Sequence, residues 1–137
     1  MKAYSLFSFP YLKRIVSAVN QLNVPCILFV KGGGHWLDLL RTSGASVLGM
    51  DWTVPLHQAR NIVNDEVSLQ GNLDPSILLA PNEVIKEEVV RVLEPYGNGF
   101  GHIFNLGHGI TPDIPLEAVQ TVVDTVRNES IKFKSSN

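Results

Sequence analysis

Val24-Pro25-Cys26-Ile27-Leu28-Phe29-Val30, followed at once by Lys31-Gly32-Gly33-Gly34, decides how the rest of the chain is read. A run of seven almost wholly apolar residues, with no polar alternation, suits a short strand buried on both faces. The glycines mark a strand-to-helix loop, and His35–Thr42 follows as a short helix carrying Trp36, Leu37, Leu39 and Leu40. The same unit then recurs three times. Ser46–Met50 reads as a strand ending in Asp51-Trp52-Thr53, with a helix from Pro55 to Val63. Glu66–Leu69 reads as a strand running into the loop Gln70-Gly71-Asn72-Leu73-Asp74-Pro75, with helical patterns at Pro75–Leu79 and Asn82–Leu93. His102–Asn105 is the fourth strand, ending in Leu106-Gly107-His108-Gly109, and a helix runs from Pro115 to Asn128.

Upstream, residues 7–23 are expected to form one helix, with Ser8 as N-cap and Pro10 in the first turn. Tyr11, Leu12, Ile15, Val16, Val19 and Leu22 follow at helical spacing. The expected organisation is therefore a single partial domain. It has a helix over 7–23, four strand–helix units over 24–130, and a polar, frayed tail over 131–137.

Short apolar strands alternating with helices imply parallel strands covered by helices, an α/β structure. An open doubly wound sheet and part of a (β/α) barrel both fit this pattern. In either, the loops at the carboxyl ends of the strands carry the site, and here those loops hold most of the polar and glycine-rich segments. A complete barrel takes ~250 residues, so these 137 residues have the content of about half of one. Four strands without closure leave two unpaired edges and an exposed inner face. A fragment, or a chain that completes itself with a partner, is expected.

Composition narrows the function classes. With 45% hydrophobic and 18% charged residues, disorder is excluded. A net charge of −2 offers no basic footprint for nucleic acid or an anionic membrane. The longest apolar run falls far short of the ~20 residues that cross a bilayer. Met1–Pro10 is broken by serines and a proline and lacks a small-residue cleavage site, so it reads as a helix start and not as a signal peptide. One cysteine, Cys26, permits neither an internal disulfide nor a cysteine-based zinc site. A cytoplasmic protein is expected.

Lys31-Gly32-Gly33-Gly34 invites a phosphate cradle, but its spacing matches neither GxxxxGK[ST] nor GxGxxG. A tight turn lining a pocket is the better reading. Gly97-Asn98-Gly99-Phe100-Gly101 precedes a strand, the wrong polarity for dinucleotide binding, and reads as a loop. Of four histidines, His57 falls on a helix and His102 at the far end of a strand. Only His35 and His108 share the loop face, and no metal-ligand spacing emerges. His108 lies between two glycines just past the last strand, which suggests a side chain presented to a ligand as proton donor or hydrogen-bond partner. Asp51, beside Trp52, has a semi-enclosed setting expected to raise its pKa, or else it caps the next helix. Asp74, in Asp-Pro, reads as capping chemistry. No acid/base pair can be assigned.

Together the strand-end segments resemble the uroporphyrinogen decarboxylase family. The segments are Phe29-Val30-Lys31-Gly32-Gly33-Gly34, Leu48-Gly49-Met50-Asp51-Trp52-Thr53, Leu69-Gln70-Gly71-Asn72-Leu73-Asp74-Pro75 and Phe104-Asn105-Leu106-Gly107-His108-Gly109-Ile110. The Phe9-Pro10-Tyr11 helix start also fits, so the likeness spans roughly Phe7 to Asn128. It implies the C-terminal half of a (β/α)8 TIM barrel, one helix followed by four βα units. It also implies a cofactor-free carboxy-lyase of porphyrin and haem biosynthesis, working as a cytoplasmic or plastid homodimer. The family removes the carboxyls of the four acetate side chains of uroporphyrinogen III, giving coproporphyrinogen III. The protonated pyrrole serves as the electron sink.

By this resemblance His108 is the substrate-binding histidine. The family's central aspartate, its N-terminal arginines, its tyrosine and its serine have no counterpart in these residues, and Asp51 does not replace that aspartate. No catalytic residue, metal ligand or cofactor is therefore assigned here. The isolated chain is expected not to turn over uroporphyrinogen III, and to associate as a homodimer or through its open barrel edges. A methylcobamide-type methyltransferase of the same superfamily is the alternative. It would need His-x-Cys where Phe29-Val30-Lys31 stands and Cys at His108. A non-catalytic half-barrel that only associates is a third reading.

Overall fold

The computed structural model describes residues 2–97 and 101–134. Two helices open the chain, α1 (Lys2–Phe7) and α2 (Phe9–Asn20). Four strands follow, β1 (Ile27–Phe29), β2 (Val47–Gly49), β3 (Ser68–Leu73) and β4 (His102–Leu106). Between β1 and β2 lie 3-10 turns at Gly33–Trp36 and Arg41–Ser43, with the single-turn helix α3 (Leu37–Leu40) between them. Next come α4 (Leu56–Val63), a 3-10 segment at Pro75–Leu79, α5 (Asn82–Tyr96) and α6 (Leu116–Lys134). The strands pair in the order β1-β2-β3-β4, all parallel. Among the described residues no helix is long and apolar enough to cross a membrane.

Register and side-chain alternation divide the sheet into two faces. Leu28, Leu48, Leu69 and His102 form one row across the four strands. The three leucines are buried beneath the helices, and each such side chain contributes ~1.5–3 kcal/mol by leaving water. The next row, Phe29, Gly49, Gln70 and Ile103, faces the other way. Phe29 and Ile103 remain 44% and 41% exposed. The sheet therefore has one helix-covered face and one open apolar face.

Helices form a continuous outer layer. The turn at Arg41–Ser43 packs on α2, α3 on α4, α4 on α5, and α5 on α6. One core joins α2, α3 and α4 to β1 and β2, with Val16, Leu37, Ala59 and Val63 fully enclosed. A second joins α5 and α6 to β3 and β4 through Ile85, Val89, Leu93 and Val122.

His102 belongs to the covered face. Its ring stacks on Tyr96 at 4.4 Å, its Nε2 lies 3.0 Å from the Gly71 carbonyl, and Arg60 lies over the Tyr96 ring. Burial pushes the His102 pKa down, and the Gly71 hydrogen bond only partly opposes it.

Several boundaries differ from the sequence reading. The helix expected over 7–23 is two helices broken at Ser8, whose side chain makes no capping bond, and it ends at Asn20 before a turn with Asn23 at positive φ. β3 runs on through Gln70–Leu73, which the glycine and asparagine had marked as loop. α6 continues to Lys134 through residues assigned to the tail, held in part by Lys132–Glu129 pairing at 2.7 Å. Asn98, Gly99 and Phe100, in the glycine-rich loop, and residues 135–137 of the tail lie outside the described residues.

Two outcomes follow from the two-faced sheet. Leu69→Ala should cost about 2–5 kcal/mol in urea unfolding, whereas Ile103→Ala, on the open face, should cost under ~1 kcal/mol. Because the native His102 pKa lies below the ordinary 6.5, the unfolded chain binds the extra proton between the two values. Stability is then full above 6.5 and falls as pH drops below it. Thermal unfolding scanned by pH should show this slope in the parent chain and lose it in His102→Gln.

Candidate functional site

The carboxyl ends of the four strands meet around one loop, Asp51–Val54, which follows β2. Asp51 is only 2% exposed, so its carboxylate must find donors within the protein. It finds three. The Gly32 amide, in the loop after β1, bonds one oxygen, and the Thr53 amide (2.9 Å) and hydroxyl bond the other. Burial alone would raise the pKa, but these bonds and the nearby Lys31 charge outweigh it and hold Asp51 below the ordinary carboxylate range. The expectation of a raised pKa is thus corrected. Nor does Asp51 cap α4, whose N-cap is Pro55; it closes a turn and ties two strand-end loops together.

The loop is held from β3 and β4 as well. Asn72 is buried, and its side-chain amide donates at 2.7 Å to the carbonyls of both Asp51 and Val54. Gly107 lies against the Trp52 backbone so closely that a Cβ there would sit 2.7 Å from the Trp52 nitrogen. Gly34 likewise leaves room for Val54, where a Cβ would overlap the side chain at 2.2 Å. The triple glycine is therefore a close-packed turn, as the tight-turn reading expects, with Gly32 in the left-handed conformation at φ 70°.

His108 stands exposed on this scaffold. Its ring is edge-on to Phe29 at 6.1 Å and to Trp52 at 6.5 Å. It opens on a concavity of about 240 Å³ on the open face of the sheet, with Phe29, Met50, Gln70 and Asn105 also in its wall. No carboxylate lines that concavity. His35 is exposed in the turn after β1 but does not line it. His57 lies on α4 beside Pro95, in an outer groove. Asp74 accepts from the Ser76 amide and hydroxyl, which is capping chemistry. Among the described residues no group of three or more histidines, cysteines or carboxylates is placed to hold a metal ion.

Sequence reading missed Asn72, Gln70 and Asn105. The first two were placed in a loop because Gly71 and Asn72 depress strand propensity. The usable signal was Leu69 and Leu73 four residues apart with polar residues at 70 and 72, an alternation that continues the strand.

Asp51→Ala leaves Gly32 and Thr53 donors without an acceptor and should destabilise by ~1–3 kcal/mol in urea unfolding. The Asp51 contribution is present above the ordinary value of 3.8 and is lost as pH falls through the lower native value. The parent chain should therefore lose stability in that acid window, and Asp51→Ala should not.

Comparison with known proteins agrees with this arrangement. The family model for uroporphyrinogen decarboxylase matches residues 1–129. A uroporphyrinogen decarboxylase of Alkalilimnicola ehrlichii is 50% identical over 135 residues, covering 96% of this chain and 37% of its own length. That of Aromatoleum aromaticum is 48% identical over 136 residues, covering 96% and 38%. A solved methyltransferase structure from Methanosarcina mazei superposes with a TM-score of 0.80 at 23% identity, over 93% of this chain and 37% of that one. This last likeness concerns the fold alone. The chain spans little more than a third of the length of these relatives, and it belongs to the uroporphyrinogen decarboxylase family.

Proposed function

We propose that this chain supplies the C-terminal portion of a (β/α)8 barrel that decarboxylates the acetate side chains of uroporphyrinogen III. The observation that carries the reading is His108, exposed between Phe29 and Trp52 at the rim of the concavity, in a chain of this family. An imidazole there can donate to a substrate carboxylate or accept from a pyrrole N–H. Phe29 and Trp52 offer apolar walls that keep water from the bound macrocycle. The side-chain amides of Gln70 and Asn105 offer further polar contacts.

Carbon dioxide leaves with its bonding electrons passing to the protonated pyrrole, so the reaction calls for no separate cofactor. It does call for groups that hold the cation and deliver protons. The concavity of about 240 Å³ has no carboxylate in its wall and is smaller than the ~300–1,000 Å³ of a typical small-molecule site. A tetrapyrrole therefore needs walls and an acid from elsewhere in the barrel. The assembled enzyme is read as a cytoplasmic homodimer of completed barrels.

Titration with uroporphyrin, followed by its fluorescence, tests the assignment. His108→Ala should weaken binding ~10–100-fold, the equivalent of one hydrogen bond to a charged group, with an unchanged circular dichroism spectrum. Equal binding by parent and variant would remove His108 from the site. Incubated with uroporphyrinogen III, the chain alone should yield no coproporphyrinogen. Product formation would show that it carries a catalytic group of its own.

A further inference from the structure

We infer that the open edges of this half-barrel accept a complement that begins and ends with a strand, four strands joined by three helices, and cannot be closed by a second copy of the chain. The inference rests on the barrel reading of the sheet and not on the decarboxylation chemistry.

Eight parallel strands close a barrel whose interior is filled by side chains. Four are present, and among the described residues β1 and β4 each have a free edge. Two copies would supply the right strand number, β4 of each joining β1 of the other. The helical layer forbids it. In such a barrel one helix covers each gap between neighbouring strands. Here α2 precedes β1 and lies beyond it, packing its inner flank on the Arg41–Ser43 turn, while α6 follows β4 and lies beyond α5. The layer thus has five stations, α2, α3, α4, α5 and α6, over four strands, and overhangs the sheet at both ends. At each seam of a two-copy barrel, α6 of one copy and α2 of the other would claim the same gap.

Both overhanging helices are also finished for contact on their outer flanks. Asn20 marks the inner flank of α2 by bonding the Gly44 carbonyl at 2.9 Å. Tyr11 lies nine residues away, two and a half turns, and so on the opposite flank. Tyr11 and Ile15 are each 60% exposed there. On α6, Thr125, Asn128 and Glu129 face the groove shared with α5, and Val123 and Leu116 lie exposed on the flank away from it. Residues 2–20 contain Lys2, Lys13 and Arg14 and no carboxylate, so the helix that packs on α2 is expected to be acidic along its border. The open row of Ile27, Phe29 and Ile103 supplies the interior layer that the complement's side chains would meet.

The test is co-production of the chain with the part of the Alkalilimnicola ehrlichii relative that lies outside the matched stretch. That part is made as a separate tagged chain in two forms, one stopping at its last strand and one extended through a copy of α2. Light scattering after size exclusion should give a one-to-one complex with the first form, and about tenfold weaker association with the extended form. Ile15→Glu and Val123→Glu, each placing a charge in the seam, should weaken the complex at least about tenfold while the free chain melts as before. A dimer of the chain alone, with β1 and β4 amides both protected from hydrogen exchange, would overturn the inference. So would equal binding of both forms, or complexes indifferent to both substitutions. A tight complex that fails to decarboxylate would sink the enzymatic reading and leave this one standing.

Discussion

One buried carboxylate organises the working end of this structure. Asp51 accepts from the loop after β1 and from its own loop after β2, while Asn72 reaches the same loop from β3 and Gly107 lies on it from β4. All the groups that meet the Asp51 side chain are donors, so an ionised acceptor suits them and an amide would place a donor among donors. The cost of burying the charge is offset only because every neighbour contributes to holding it. His108 stands where it does because the backbone before it rests on the Asp51–Trp52 peptide.

The two faces of the sheet differ in kind. The helix-covered face is complete, with leucines in register across three strands and aromatic stacking where His102 takes the place of the fourth. The open face is a half-built interior. Its apolar side chains are as large as core residues, yet they stand in solvent because the chain that would interdigitate with them is not among these residues. The same deficit appears in the chemistry, where a histidine and two amides are present without an acid.

Much of the fold was legible in the sequence because apolar runs of strand length alternate with amphipathic stretches, and that rhythm needs no tertiary information. Val24–Val30 and Ser46–Met50 announced strands in this way. What failed to show was governed by tertiary contact. Gln70–Leu73 looked like a loop until its pairing with β4 held it extended. Polar residues 131–134 looked like a tail, yet Ile131 and Phe133 let the helix continue, with Phe133 packed against the second core. At the site, glycines on either side of His108 pointed to it correctly, though for partly different reasons: Gly107 serves close packing, and Gly109 has open space around it. Asp51 was noticed for its neighbour Trp52. Its depressed pKa depends on donors nineteen residues upstream and two downstream, and only the first of these is remote in sequence.

The strand order has a consequence for how the chain comes to be folded. Each strand pairs with the one synthesised just before it, and none waits for a distant partner. Contacts of this kind keep loop-closure entropy small, which favours rapid assembly among folds built on parallel sheets. As the polypeptide leaves the ribosome, every new strand–helix unit can dock on a template already formed. The growing edge is always the most recent strand, and only the first edge, at β1, stays unpaired throughout.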